Sequence, residues 1–542
     1  ALLINLTFAF WFVALGLVIN LRLENVVPIY SQPWQPLLLS GANLLWVGDS
    51  WNWYVSVLIL LLGGVALLLG SDVRTLPSGR RTPRRLGGVL ASHLMLMALA
   101  LLFVGSGNLL TATLTWVALD IFLLARNAVT PPLLTEQEDE RRSRGRSISL
   151  NQAQGFSLLG ALLLLIALLP AGPLGPGQPL QGGSLPAETI TLMFIAAGVR
   201  AGAYPFHLWL LPSSSVRLPL VDRFLIQLIP GLCGLWLLGW TSGLAAHGVL
   251  DHFSFVVAAL FAFLGSTVAA YTVTNKSGHT SFVLISAVGI AGLTSILAES
   301  KGPAGVIWPT TTFALAGGLW LVGERIWSEW GWQIPVSVGA LALVGAPFTP
   351  GFFTHSAIAR LLSGEFTGLL VLPIFVIYLV AYTVYVAAML RSWGVQHHNP
   401  NSVRLTNSWR LIVAAVLLAA PLAVAGIFPR FVAAIAALPQ AIPHNVGDPP
   451  SAVATADVWL TLGWPLLIGM GLALFRPRLW PLLRGWPDRL ARFAKLDWFT
   501  RLTDWGLNQT AAIWNMGLNL FEGAGAIGWL LAFAILGYYL IG

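Results

Sequence analysis

The chain is 542 residues long, 56% hydrophobic and 9% charged, with a formal net charge of +8. That balance excludes an ordinary soluble domain, which carries about a quarter charged residues. Apolar runs of about 20 residues, enough to cross about 30 Å of hydrocarbon, recur along the whole chain and leave no stretch for a separate globular domain. About fifteen spans are expected, starting near Leu2, Tyr54, Gly87, Gly107, Ile148, Thr189, Val221, Phe253, Thr280, Gly305, Pro335, Gly368, Leu411, Ala456 and Ala526. The first run lacks the basic start and small-residue cleavage site of a signal peptide, so it reads as a retained helix.

Lysine and arginine concentrate in cytoplasmic loops of membrane proteins, which tests this count. Arg74, Arg80, Arg81, Arg84 and Arg85 fall between two spans, and Arg141, Arg142, Arg144 and Arg146 fall two spans later, on the same side. Alternation puts Arg217, Lys276, Arg325, Arg391, Arg404, Arg410 and the basic run from Arg476 to Arg501 there too; only Arg22, Lys301 and Arg430 fall opposite. The positive charge is thus explained by topology and by anionic lipid, not by nucleic acid, which is not expected as a partner. Asp222 with Arg223, and Glu324 with Arg325 and Glu329, read as interface residues at headgroup level. The 24 tryptophans suit aromatic belts better than a cofactor site.

Soluble-type catalysis has no visible seat. The lone Cys233 excludes a disulfide framework or a cysteine-ligated cluster within the chain. His397 and His398 are adjacent, but no nearby carboxylates complete a metal site. No glycine-rich phosphate loop and no serine-histidine-acid arrangement appears. Neither metal nor cofactor is expected, and no catalytic site.

Two spans are broken by proline. In "RAGAYPFHLWLLP", Pro205 removes a backbone donor and opens the helix between Arg200 and His207; in "LVGAPFTPGFFTH", Pro347, Pro350 and Gly351 do the same before His355. Backbone opened at membrane depth must be satisfied by protein or water, and paired breaks in two halves of a chain point to an ion or substrate site. A purely structural kink is the plainer alternative.

"PFHLWLLP" resembles the "PFHTWLPDA" signature of the antiporter-like subunits shared by respiratory complex I, multisubunit cation/proton antiporters and membrane-bound hydrogenases. "GNLLTATLTWVALD" is similar to that family's "NLLTLFLGWE" helix and "GAPFTPGFFTHSAI" to its "GxPxxxGFFSKDxI" break. "LNLFEGAGAIGWLL" is similar to the last helix of the family's largest, complex I subunit 5-like member. The resemblance implies an all-α polytopic fold of two inverted repeats with two discontinuous helices. On the family's count of sixteen helices the run at Leu2 would be the second, so this sequence is expected to lack the first.

Family members are thought to move protons along buried ionisable residues at mid-membrane, and most of those positions have changed. The glutamate of "GWE" falls on Val117, with Asp120 one turn later, and the lysine before "PFH" falls on Arg200. The acid and lysine of "DxKRxLAYST" fall on Asn275 and Ser277, the histidine and lysine of "HAFFKALLF" on Thr311 and Leu315, and the lysine of "GFFSKD" on His355. Arginine does not release its proton as a relay lysine must. Asp120 and Arg200 are therefore expected to form a static ion pair, while His355 keeps a titratable group and His207 could plug carbonyls freed by Pro205. The ion-path candidates are Asp120, Arg200, His207 and His355.

From Arg489 onward Leu490, Phe493, Leu496, Phe499 and Leu502 recur every third residue between basic side chains, the pattern of an amphipathic interfacial helix. The expected organisation is a transmembrane domain over 1–476, an amphipathic segment over 477–525 and a terminal span over 526–542. By resemblance the chain works beside other membrane subunits, antiporter-like paralogues among them, and lipid. The expected setting is a bacterial-type inner membrane or another energy-converting membrane, as part of a quinone oxidoreductase, a hydrogenase or an inorganic-carbon uptake assembly. Three roles stay open: a degenerate path kept for shape or coupling, an active proton or sodium path through Asp120, His207 and His355, and a structural scaffold.

Overall fold

The computed structural model describes residues 2–24, 27–34, 42–70, 83–129, 157–172, 175–181, 185–207, 220–245, 252–273, 276–365, 371–391, 408–438, 441, 459–482 and isolated positions between 485 and 515. The basic loops at 71–82 and 130–156, Arg217, Asn275, the pair His397 and His398, most of the amphipathic segment and the terminal span lie outside the described residues. The chain divides into two units, 1–487 and 488–542; all that follows concerns the first.

Ten helices among the described residues are long and apolar enough to cross a membrane. In chain order the helices are α1 (Leu2–Leu23), α2 (Ser50–Gly70), α3 (Pro83–Val104), α4 (Leu109–Val129), α5 (Ser157–Ala167), α6 (Ala187–Ala201), α7 (Leu220–Leu244), α8 (His252–Thr272) and α9 (Lys276–Leu297). They continue with α10 (Pro303–Trp330), α11 (Ile334–Val344), α12 (Pro350–Glu365), α13 (Val371–Leu390), α14 (Ser408–Ile427), α15 (Pro429–Ile435) and α16 (Trp464–Leu482). The protein is an integral multi-pass membrane protein built of helices. α16 crosses position 476 and carries on to Leu482.

One short hairpin accompanies the helices. β1 (Ile29–Pro33) and β2 (Asn43–Val47) pair antiparallel between α1 and α2. Their backbone is satisfied partly by the turn between α3 and α4: the Gly107 amide donates to the Leu45 carbonyl at 2.7 Å, the Val47 amide to Gly105, and the Leu45 amide to Thr111 Oγ1 at 2.8 Å. A hairpin too short to stand alone is thereby tied to the bundle.

Burial sorts the helices. Of the apolar stretches of α7, α9 and α10, 94% is buried, against 11% for α1. α1 touches the bundle through Trp11, whose indole donates to the Leu60 carbonyl at 2.8 Å, while the Trp53 indole donates back to Val18 at 2.7 Å. α6 packs on α7, α8 on α9 and α13, and α13 on α16.

Two central helices contain a π-turn, Arg223–Leu228 in α7 and Thr312–Ala316 in α10. In α10 the turn follows Pro309, which removes a donor inside the helix. Such turns mark strained places and frequently accompany function.

Candidate functional site

α6 and α11 end in mid-chain the same way. Gly202 has φ +78°; its amide bonds the Val199 carbonyl and the Ala203 amide bonds Gly198 at 2.8 Å. Gly345 has φ +84°; its amide bonds Ala342 and the Ala346 amide bonds Leu341 at 2.9 Å. Both are the 6→1 and 5→2 closure that needs a left-handed residue, which only glycine adopts freely. Pro205 then follows the first closure, and Pro347 and Pro350 the second, with Pro350 starting α12, where its missing donor costs nothing. At each expected break a helix thus ends on a glycine, at Gly202 and at Gly345, and each end has its own chemistry; residues 208–219, which follow the first, lie outside the described residues.

At the first break the structure brings together Asp120 of α4 and Arg200 of α6. Arg200 Nη1 lies 2.5 Å from Asp120 Oδ1, with the arginine fully buried and the aspartate 3% exposed. Ser157 at the start of α5 bridges them, donating to Asp120 Oδ1 at 2.8 Å and accepting from Arg200 Nη1 at 2.8 Å. The Trp116 indole, one turn before Asp120, donates to Oδ2 at 2.8 Å, and its ring carries the guanidinium 4.6 Å from the centroid. A buried charge costs several kcal/mol unless paired and hydrogen-bonded, and here hydroxyl, indole and guanidinium converge on one carboxylate. Sequence reasoning found the two charges and missed Ser157 and Trp116. The signal for Trp116 was its place four residues before Asp120, on one helix face.

His207, just past Pro205, is fully buried between the rings of Tyr204 and Phe282, with centroids 5.0 and 5.1 Å away. Neither ring nitrogen reaches hydrogen-bond geometry with a described residue, although the Pro205 carbonyl lies nearby.

Among the described residues the second break holds no ion pair. His355 is fully buried on α12, its Nδ1 2.9 Å from the Tyr378 hydroxyl and its ring stacked 4.1 Å from Tyr382. Tyr382 donates to the Val344 carbonyl at 2.8 Å, satisfying an acceptor freed at the end of α11. Tyr378, Tyr382 and Tyr385 line one buried face of α13. Their spacing of four and three in "YLVAYTVY" was the legible signal.

The other residues that the sequence resemblance sets at the family's path positions are uncharged. Thr311 is buried, its hydroxyl 2.6 Å from Tyr54 Oη and 2.6 Å from the Ile307 carbonyl. Leu315 is 2% exposed within the π-turn of α10. Val117 lies half-buried one turn before Asp120. Ser277 lies on α9, its side chain outside the described residues.

The residues expected at headgroup level are partly drawn into the bundle. Arg126 of α4 pairs with Asp222 of α7 at 2.6 Å, and Thr280 donates to Glu324, which faces Arg223. Arg325 and Glu329 form an exposed i,i+4 pair at 2.5 Å. Beyond the start of α2 a cavity of about 390 Å³ is lined by Asp49, Trp51, Gln181, Trp240 and Lys301 among others. Burial pushes the Asp49 carboxyl up to about 6, although the Asn52 and Trp51 amides pull it down. Among the described residues no cluster of three metal-ligating side chains occurs.

No family model matches the chain, and no curated protein matches it by sequence. Solved structures do match. A chain of the Mrp complex from Dietzia sp. DQ12-45-1b aligns with TM-score 0.72 and 16% identity over 98% of this chain, which spans 59% of the length of that one. A chain of the membrane-bound sulfane sulfur reductase, an archaeal respiratory membrane complex, aligns with TM-score 0.66 and 16% identity over 97% of this chain and 94% of that one. A chain of respiratory complex I from Thermus thermophilus aligns with TM-score 0.59 and 18% identity over 78% of this chain and 94% of that one.

The fold is that of subunits from multisubunit membrane complexes. It agrees with the resemblance carried by "PFHLWLLP" and "GAPFTPGFFTH", at identities that speak for the fold alone.

Proposed function

We propose that this chain is an antiporter-like membrane subunit of a complex I-like, ion-translocating assembly, and that its own proton path is interrupted, leaving a structural or coupling role. The observation that carries this reading is the Asp120–Arg200 pair: a fully buried guanidinium held on a carboxylate by Ser157 and Trp116. A proton relay needs groups that change charge as their partners move, whereas arginine keeps its proton. Val117, Thr311 and Leu315 offer no replacement. The two identical closures at Gly202 and Gly345 support two related halves, which the reading takes as inverted repeats.

The parent complex supplies the reaction. Its other membrane subunits include antiporter-like paralogues, this chain filling the position of the largest, subunit 5-like member, in a bacterial inner membrane or another energy-converting membrane. Purification in mild detergent with identification of the co-purifying chains tests this part: paralogous membrane subunits are expected, and a chain that purifies alone contradicts it. For the interrupted path, Arg200→Lys in the intact assembly is expected to leave ion translocation unchanged.

A second reading, an active proton path, draws on the hydrogen bond between His355 and Tyr378. It requires His355→Phe to reduce translocation by the intact assembly, whereas the first reading expects no change.

A further inference from the structure

The outer face of α16 carries a groove of about 390 Å³, lined by Ile468, Gly471, Leu472 and Phe475 and ending at Arg478. Gly471 leaves it open, since a Cβ there would meet nothing within 4 Å. Ile468 and Phe475 are about half exposed, so this face meets whatever surrounds the bundle. Arg478 is exposed and belongs to none of the ion pairs among the described residues.

Positive charge accumulates around that end. Arg391, just past α13, donates to the Ala270 and Tyr271 carbonyls at 2.9 and 2.6 Å and to the Val273 carbonyl, capping the end of α8. The Arg476 guanidinium lies 5.6 Å above the Tyr271 ring. Tyr271 in turn donates to the Leu472 carbonyl at 3.3 Å, which ties the end of α8 to the groove. Burial first, and the field of Arg476 second, lower the Arg391 guanidinium to about 9. Two guanidiniums thus crowd one another near a third at the mouth of an apolar groove.

We propose that this groove binds an anionic phospholipid, with an acyl chain along Ile468, Gly471, Leu472 and Phe475 and the phosphate at Arg478. Charge complementarity favours it: a basic pocket at the end of membrane helices recognises an anionic headgroup. A lipid also places apolar chain and phosphate at these two depths at once, whereas a partner helix needs its own carboxylate opposite Arg478.

The test uses the purified assembly in mild detergent, following thermal unfolding of this chain on addition of phosphatidylglycerol, phosphatidylcholine or inorganic phosphate. Phosphatidylglycerol is expected to raise the midpoint and the other two to leave it in place. Arg478→Gln and Gly471→Leu each reduce that rise by half or more, and Arg478→Lys retains it; both positions are open, so these variants keep the fold. An equal rise with phosphatidylcholine, or with inorganic phosphate alone, overturns the proposal. So does a Gly471→Cys variant whose crosslinker captures a neighbouring subunit in place of lipid.

Discussion

The two broken helices share a backbone and differ in everything placed beside it. α6 and α11 close on Gly202 and Gly345 with the same pair of hydrogen bonds, and each closure is approached by a glycine of a neighbouring helix. A Cβ on Gly234 of α7 would come within 2.2 Å of the Ala201 amide nitrogen, and one on Gly426 of α14 within 2.0 Å of the Phe348 carbonyl oxygen. Yet the first break carries a buried ion pair and the second a histidine among tyrosines. A helix opened in the membrane therefore needs its backbone satisfied and its neighbours close; it does not need a mobile charge. The proposed reading makes architecture and conduction separable properties of this fold.

Substitutions at the two breaks should expose that difference. The largest effect belongs to the first. Asp120→Asn leaves Arg200 buried against a neutral partner and is expected to cost on the order of 3 to 5 kcal/mol, read as thermal unfolding in detergent. The double variant Asp120→Asn with Arg200→Met should recover most of it, because a buried pair is harder to break than to remove as a whole. Recovery of less than half would mean that the pair contributes more than its mutual satisfaction.

Away from both breaks, Asp49 supplies the charge that does titrate. Its carboxyl lies at about 6 in the folded chain, above the ordinary 3.8, so folding favours the protonated form. The associated stability is fully present below about pH 3.8, is lost as pH rises through about 6, and changes little above that. The span is on the order of 2 to 3 kcal/mol at 1.4 kcal/mol per unit. Asp49→Asn keeps the cap on α2 and should flatten this part of the pH–stability curve; a curve that keeps its slope in the variant would place the titration elsewhere.

The closure at Gly345 should tolerate no side chain. Alanine there meets left-handed strain of about 1 to 2 kcal/mol. The new Cβ also falls 2.7 Å from the His355 ring and 3.0 Å from the Gly351 carbonyl oxygen, so Gly345→Ala should lower the thermal midpoint by more than the backbone strain alone would. The smallest effect is expected at Tyr382→Phe, which strands the Val344 carbonyl and costs about 1 kcal/mol. A loss as large as that of Asp120→Asn would mean that the histidine–tyrosine cluster is as demanding as the ion pair.

The parts that were legible in the sequence are those set by strong one-dimensional rules. Apolar runs located several helix starts to within a few residues, as at Thr189 for α6 and Pro335 for α11. Arg200 stood out because a charge in an apolar run demands a partner, and the helical turn from Val117 to Asp120 supplied it. What escaped needed contacts distant in sequence. Ser157 bridges the pair from a different helix, Arg126 meets Asp222 across 96 positions, and the hairpin at Ile29 is stabilised by residues near Gly107.

The most direct measurement is ion translocation by the intact assembly carrying the double variant Asp120→Asn with Arg200→Met in this chain. If the pair is a fixed structural element, the assembly that forms should translocate at the wild-type rate. Loss of translocation by a correctly assembled complex would contradict the account and return Asp120 and Arg200 to the conducting path.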